Sequence, residues 1–272
     1  MGPLARGPLF SAEALLTPDG LRALGALHRA YVEAGAGVVT AATFRTNRRA
    51  VGDARFPALA RLAVRVARES GAARVAGSLA PVADCYLPER RPAPAVALRE
   101  HAEHAQALVE AGCDLLLVET VVAADEGLAA VEAARARGVP VWVSAMAMPD
   151  GRMRSGDDLA AFFRAARDLG AEAALINCVP CDGVDLGLQA ARSSGLPFGG
   201  YAHMGDVDPA AGWPAGPLLS PSAYVERARR WVLAGATLVG GCCGTTPAHV
   251  RALASAFSPP HEGAGPDRGR LR

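Results

Sequence analysis

The chain contains no lysine: all 28 of its basic side chains are arginine, so no step of its chemistry can run through a lysine Schiff base. Net charge is also nearly missing. The 28 basic residues face 27 acidic ones, a formal balance of +1, and no net field favours nucleic acid or an anionic membrane as the partner. No apolar run reaches the roughly 18 to 20 residues that a membrane span requires. The opening MGPLARGPLFSAEALL lacks the continuous apolar stretch of a secretory signal, and Arg6 stands where a myristoylation motif needs Ser or Thr. The expected location is therefore the cytoplasm. Cysteine is scarce and scattered, at Cys85, Cys113, Cys178, Cys181, Cys242 and Cys243. In a long chain in a reducing compartment, that pattern favours metal or catalytic roles over a disulfide framework.

What the chain does have is apolar residues, 51% of 272, against 20% charged, enough to bury a substantial core. Short apolar runs alternate with longer amphipathic ones. The expected strands are GVVTAA (37–42), RVAGSL (74–79), DLLLVE (114–119), PVWVSAM (140–146), AALINC (173–178), FGGYAH (198–203) and TLVGGC (237–242). Stretches such as FPALARLAVRVARESGA and SAYVERARRWVLAGAT lie between them, apolar on one face and ending near Gly, as helices do.

Repeated β-then-α units imply a parallel sheet with right-handed crossovers, either an open doubly wound sheet or an eight-stranded (β/α) barrel. The polar and reactive residues decide between the two. Thr43, Asn47, Glu119, Thr120, Ser144, Asn177, Cys178, His203, Cys242 and Cys243 fall at the carboxyl ends of many different strands. Only a closed barrel gathers all those ends around one mouth. The expected fold is one (β/α)8 barrel over residues 1–257, with a shortened or missing first strand because only MGPLA is available for it. Residues 258–272, rich in Pro, Gly and charge, read as a disordered tail.

Cys242 and Cys243 stand side by side in LVGGCCGTTP. A disulfide between neighbours closes almost no loop and so stabilises little. In a barrel, Cys178 at one strand end and the Cys242–Cys243 pair at another bring three sulfurs to the mouth. Three thiolates suit zinc and leave its fourth position open, the arrangement of a catalytic centre. A further thiolate bound there would stay nucleophilic, which is thiol-alkylation chemistry. Cys181, which completes CVPC, is a candidate to fill the open position in the absence of substrate; Cys85 and Cys113 read as buried core thiols.

INC at 176–178 followed by GGCCGTTPAHV at 240–250 resembles the homocysteine S-methyltransferase family, the zinc-dependent barrels that move a methyl group onto homocysteine. TFRTNRRAVG, GSLAPVADCY, AGCDLLLVETV and SGDDL are similar to further segments of that family, so the likeness runs over nearly the whole chain. The resemblance implies that Cys178, Cys242 and Cys243 ligate zinc and that Glu119 holds the substrate amino group. It places Thr43, Thr120, Ser144 and His203 around the pocket.

Three departures touch that pocket. The family's strand-one Asp-Gly-x-x-Gly-Thr is replaced by MGPLA, Ala42 stands where an Asn is usual, and His203 with Met204 replaces Asn-Ala. The partners implied are a small-molecule thiol and a methyl donor, a sulfonium such as S-methylmethionine or S-adenosylmethionine. With fewer polar groups in the pocket, homocysteine is expected to be a weak substrate, or a second copy of the chain to cover the gap at strand one. A non-catalytic zinc-binding barrel acting as a partner subunit, and a zinc-dependent lyase or hydrolase using His203 as base, are the alternatives.

Overall fold

A computed structural model of the chain describes residues 9–205 and 219–257. Its frame is a curled sheet of seven strands: β1 (Val39–Thr40), β2 (Val75–Leu79), β3 (Leu115–Val121), β4 (Val141–Ala145), β5 (Ala173–Asn177), β6 (Phe198–Ala202) and β7 (Leu238–Gly241). They pair in chain order and all run parallel. Each expected strand is present within a residue or two, except that GVVTAA pairs only over Val39–Thr40.

The helices are α1 (Pro18–Glu33), α2 (Arg48–Val51), α3 (Ala58–Arg68), α4 (Pro94–Glu110), α5 (Ala124–Arg135), α6 (Leu159–Asp168), α7 (Cys181–Arg192), α8 (Pro221–Leu233) and α9 (Pro247–Phe257). Several begin where local chemistry demands it. The Thr17, Asp158 and Ser220 side chains accept from the free N–H groups of Gly20, Ala161 and Ala223, and Pro18 and Pro221 occupy first-turn positions that need no donor. None of the described helices is long and apolar enough to cross a membrane.

Alternation along the strands builds two cores. Leu116, Val118, Val141, Val143, Ala174 and Ile176 face the helices, where they pack with the buried Leu108, Phe162, Phe163 and Trp231. The opposite set, Ala76, Leu115, Leu117, Trp142, Leu175, Tyr201 and Leu238, fills the inside of the curl. Gly127 is required on α5 because a Cβ there would come within 2.4 Å of Val121 on β3.

This is the (β/α) barrel with one strand missing among the described residues, where β7 and β1 are not paired to each other. The helical layer nevertheless closes across that gap. α1 packs on α9, and the Tyr31 hydroxyl donates to the Thr245 carbonyl at 2.8 Å. The MGPLA segment and the 258–272 tail both lie outside the described residues.

Candidate metal centre

The same alternation carries polar side chains to the top of the curl. Two residues beyond Ala76, Leu117, Trp142 and Leu175 stand Ser78, Glu119, Ser144 and Asn177, so these four continue the inward-facing rows. A cavity of about 1670 Å³ opens above and alongside them, walled by Glu119, Thr120, Cys178, His203, Cys242 and Cys243 among others.

Glu119 is 8% exposed and both its carboxylate oxygens are occupied. The Ser78 hydroxyl donates to Oε1 at 2.5 Å and the Tyr201 hydroxyl to Oε2 at 2.9 Å. Burial pushes this carboxyl up to about 6, against the lowering effect of those two donors. The β3 register shifts between Val118 and Val121, and Thr120 within that irregularity has φ +61°. A β-branched residue there is strained, by about 1–3 kcal/mol.

Asn177 holds that conformation. Its Oδ1 accepts from the Thr120 N–H at 3.2 Å and from the Ser144 hydroxyl at 2.8 Å, and its Nδ2 donates to Thr120 Oγ1 at 2.9 Å. Asn177→Ala would strand these fully buried groups, and unpaired buried donors cost about 1–3 kcal/mol each. The variant should lose at least about 2 kcal/mol in urea unfolding; a midpoint equal to wild type would show that the network is not needed.

Cys178 directly follows this network. By alternation it belongs to the helix-facing row with Ile176, but φ +54° turns it to the cavity. There its sulfur joins those of Cys242 and Cys243, all within 4.8 Å of one another, with 3.9 Å between the two neighbours. The Tyr86 hydroxyl lies 3.7 Å from Cys178 Sγ. Hydrogen bonding from Cys242, Cys243 and Tyr86 holds the Cys178 thiol well below the usual thiol range, whereas donating to Cys178 holds the Cys242 thiol well above it. The donor set suits zinc: three soft sulfurs gathered within 4.8 Å, of which the Cys242–Cys243 pair at 3.9 Å is near the roughly 3.8 Å edge of a tetrahedron with bonds of about 2.3 Å.

The other predicted residues divide. His203 lines the cavity, with Nδ1 at 2.8 Å from the Gly205 carbonyl oxygen, and Ala42 and Met204 line it too. Thr43 and Ser144 are fully buried and do not reach it. The Thr43 hydroxyl accepts from Ser78 N–H at 2.9 Å and donates to Ser78 O at 3.2 Å, extending the β1–β2 pairing past its last strand residue. Cys181 stands apart from the three sulfurs, on α7 beside Arg227. Cys113 packs beneath Gly77, and burial pushes it and Cys85 up to about 12. His28 and His104 are buried and pushed down to about 4 and about 3, which keeps them neutral.

Sequence reasoning missed Ser78, Tyr201 and Tyr86. The first two could have been found by counting inward positions along GSL and FGGYAH; Tyr86 sits on a loop, where no period operates.

Comparison with known proteins agrees with this architecture. The chain is 26% identical over 289 residues to homocysteine S-methyltransferase 1 of Zea mays, covering 93% of this chain and 88% of that protein. It is 31% identical over 257 residues to methionine synthase of Mycobacterium tuberculosis, covering 86% of this chain. It spans only 21% of the length of that relative. Among solved structures, the apo form of the homocysteine methyltransferase MmuM from Escherichia coli superposes with a TM-score of 0.72 at 25% identity, covering 90% of this chain and 88% of that one. The metallated form of the same enzyme superposes at 0.76, with 24% identity and coverage of 91% and 88%. A family model described as homocysteine S-methyltransferase matches residues 3–257, and with the strand order and the gathered cysteines already described, the chain belongs to the homocysteine S-methyltransferase family.

Proposed function

We propose that the protein transfers a methyl group from a sulfonium donor, such as S-methylmethionine or S-adenosylmethionine, to the thiol of homocysteine or a related small amino-acid thiol. Zinc would be held by Cys178, Cys242 and Cys243. The observation that carries this reading is one cavity containing both the three sulfurs and a buried carboxylate already oriented by two hydroxyls. When bound, zinc supplies the Lewis acidity that keeps an acceptor thiol deprotonated at neutral pH.

The chain's own residues do the rest. Glu119, fixed by Ser78 and Tyr201, takes the acceptor's ammonium and so aims its sulfur toward the cysteines. In the transfer, a lone pair on the acceptor sulfur forms the new S–CH3 bond. The donor's C–S bond breaks with its pair, and the donor departs as a neutral thioether that needs no proton. A cationic donor also suits a wall carrying thiolates and a carboxylate. Family membership favours methyl transfer over the partner-subunit and the lyase or hydrolase alternatives. Product analysis with homocysteine and each sulfonium tests the reading; absence of methionine with every donor would overturn it.

The Glu119 carboxyl also sets a pH dependence. Only its ionised form holds an ammonium, and burial has raised it to about 6, so binding should be strong above that value and weaken below it. Methionine has no titrating thiol and reports this directly. Its Kd, measured by calorimetry between about pH 5 and 8, should be level above pH 6 and rise about tenfold per pH unit well below it. A level profile throughout would mean that Glu119 does not hold the ammonium.

A further inference from the structure

We infer that Arg45 is a positioning residue for the metal centre: it sets the loop after β2 so that the Tyr86 hydroxyl donates to the Cys178 sulfur, and that hydrogen bond steadies the thiolate toward a bound metal. This rests on the three-sulfur reading of the site and adds two residues that lie outside the metal's own ligands.

Arg45 is a buried cation, 6% exposed, in the segment between β1 and α2. No carboxylate among the described residues pairs with it; Asp84, the one within the loop, lies 4.0 Å from Arg90 instead. The guanidinium sits over the rings of Phe10 and Phe44, at 5.6 and 5.3 Å from their centroids, which offsets part of the cost of burial. Its donors go to one loop. Nη1 donates to the Pro81 carbonyl at 3.1 Å and to the Ala83 carbonyl at 2.5 Å, and Nη2 reaches Cys85 Sγ at 4.0 Å. A planar fork can hold three such points at once.

The same loop is held from other sides. Glu126 on α5, 4% exposed, accepts at 2.8 Å from Val82 N–H, between the two carbonyls that Arg45 takes. Asp84 Oδ1 accepts from Tyr86 N–H at 2.8 Å, and Arg154 Nε donates to the Tyr86 carbonyl at 2.6 Å. Every residue from 81 to 86 thus takes part in a side-chain contact that fixes the loop. The two buried charges among these anchors carry a desolvation cost that apolar anchors would avoid. What they secure is the far end of the loop, where the Tyr86 hydroxyl stands 3.7 Å from Cys178 Sγ in the cavity wall.

The chemistry at that end gives the contact its use. Three thiolates on a divalent zinc leave the centre with an excess negative charge, and an acceptor thiolate adds another. A phenol is protonated at neutral pH and a thiolate can only accept, so at the metal-bound centre the hydrogen bond runs from Tyr86 to Cys178. It draws charge from that sulfur and holds it beside the other two. Outer partners of this kind are typically worth about 10- to 100-fold in metal affinity or activity.

Cobalt(II) bound to the full-length protein reports the contact, because a thiolate-to-cobalt charge-transfer band moves to lower energy when its sulfur loses a hydrogen-bond donor. Tyr86→Phe removes only the hydroxyl. It should move the band to longer wavelength and weaken zinc binding, measured by chelator competition, by about 10- to 100-fold. Arg45→Met and Arg45→Gln should each do the same with Tyr86 intact. Tyr86→Phe combined with either Arg45 variant should bind zinc no more weakly than Tyr86→Phe alone, since both changes remove one contact. A merely structural Arg45 would lower the urea midpoint and leave the band in place, and that result overturns the proposal. So does a wild-type band and zinc affinity in Tyr86→Phe, or losses that sum in the double variant. The underlying reading fails separately: a wild type without any thiolate–cobalt band removes the three-sulfur centre and the proposal with it, whereas a wild-type band that stays unmoved in the variants removes the proposal alone.

Discussion

Cys242→Ser and Cys243→Ser proteins should each lose bound zinc on dialysis and lose methyl transfer by on the order of a thousandfold or more, while wild type retains about one zinc per chain. Replacing even an outer partner of a metal ligand typically costs about 10- to 100-fold in affinity or activity. Here a soft ligand itself is exchanged for a hydroxyl that zinc binds poorly. Removing one of three sulfurs also leaves the remaining pair without the arrangement in which all three lie within 4.8 Å. The loss in rate follows because the Lewis acidity that keeps the acceptor thiol ionised is worth several kcal/mol, and about 1.4 kcal/mol is a factor of ten. Metal analysis of the dialysed proteins checks the first half and a homocysteine assay the second. A double serine variant that kept a full complement of zinc would remove the three-sulfur centre from the argument.

Glu119→Gln should raise the KM for homocysteine by about tenfold to a hundredfold with a smaller change in kcat. The amide matches the carboxylate in shape, and the Ser78 and Tyr201 hydroxyls that now donate to it can turn to accept from its NH2. The fold should therefore tolerate the change. What disappears is the charge facing the substrate ammonium, and a hydrogen bond to a charged group is worth about 1.5–3 kcal/mol. An unchanged KM would mean that the amino group is held elsewhere. The variant should also lose the methionine-binding transition near pH 6, because the group that titrates there is gone.

Ala42, His203 and Met204 all line the cavity, so the departures from the family pattern that these residues carry fall on the cavity wall rather than on the three sulfurs. Specificity among small thiols is where this chain should differ from its relatives.

The order of the strands and the chemistry of their ends were legible in the amino-acid sequence because both depend on neighbours along the chain. An apolar run followed by an amphipathic stretch makes a strand and then a helix wherever it occurs, and parallel strands joined by helices have few ways to close. The doubled cysteine and the Glu-Thr that closes DLLLVET stand at strand ends for the same local reason. Tertiary structure alone decided which side chains face the cavity. Thr43 and Ser144 turn their hydroxyls to Ser78 and Asn177, Cys181 turns away toward Arg227, and a left-handed backbone at Cys178 reverses the face that simple alternation assigns to it. Tyr86 meets Cys178 from 92 residues away, and it takes Arg154 from yet another loop to fix its backbone. Contacts of that kind have no period and no local signature. They exist only because the curl of the sheet carries loops from distant strands to one rim, and the side chains there settle by packing and hydrogen bonding with partners that the local sequence does not contain.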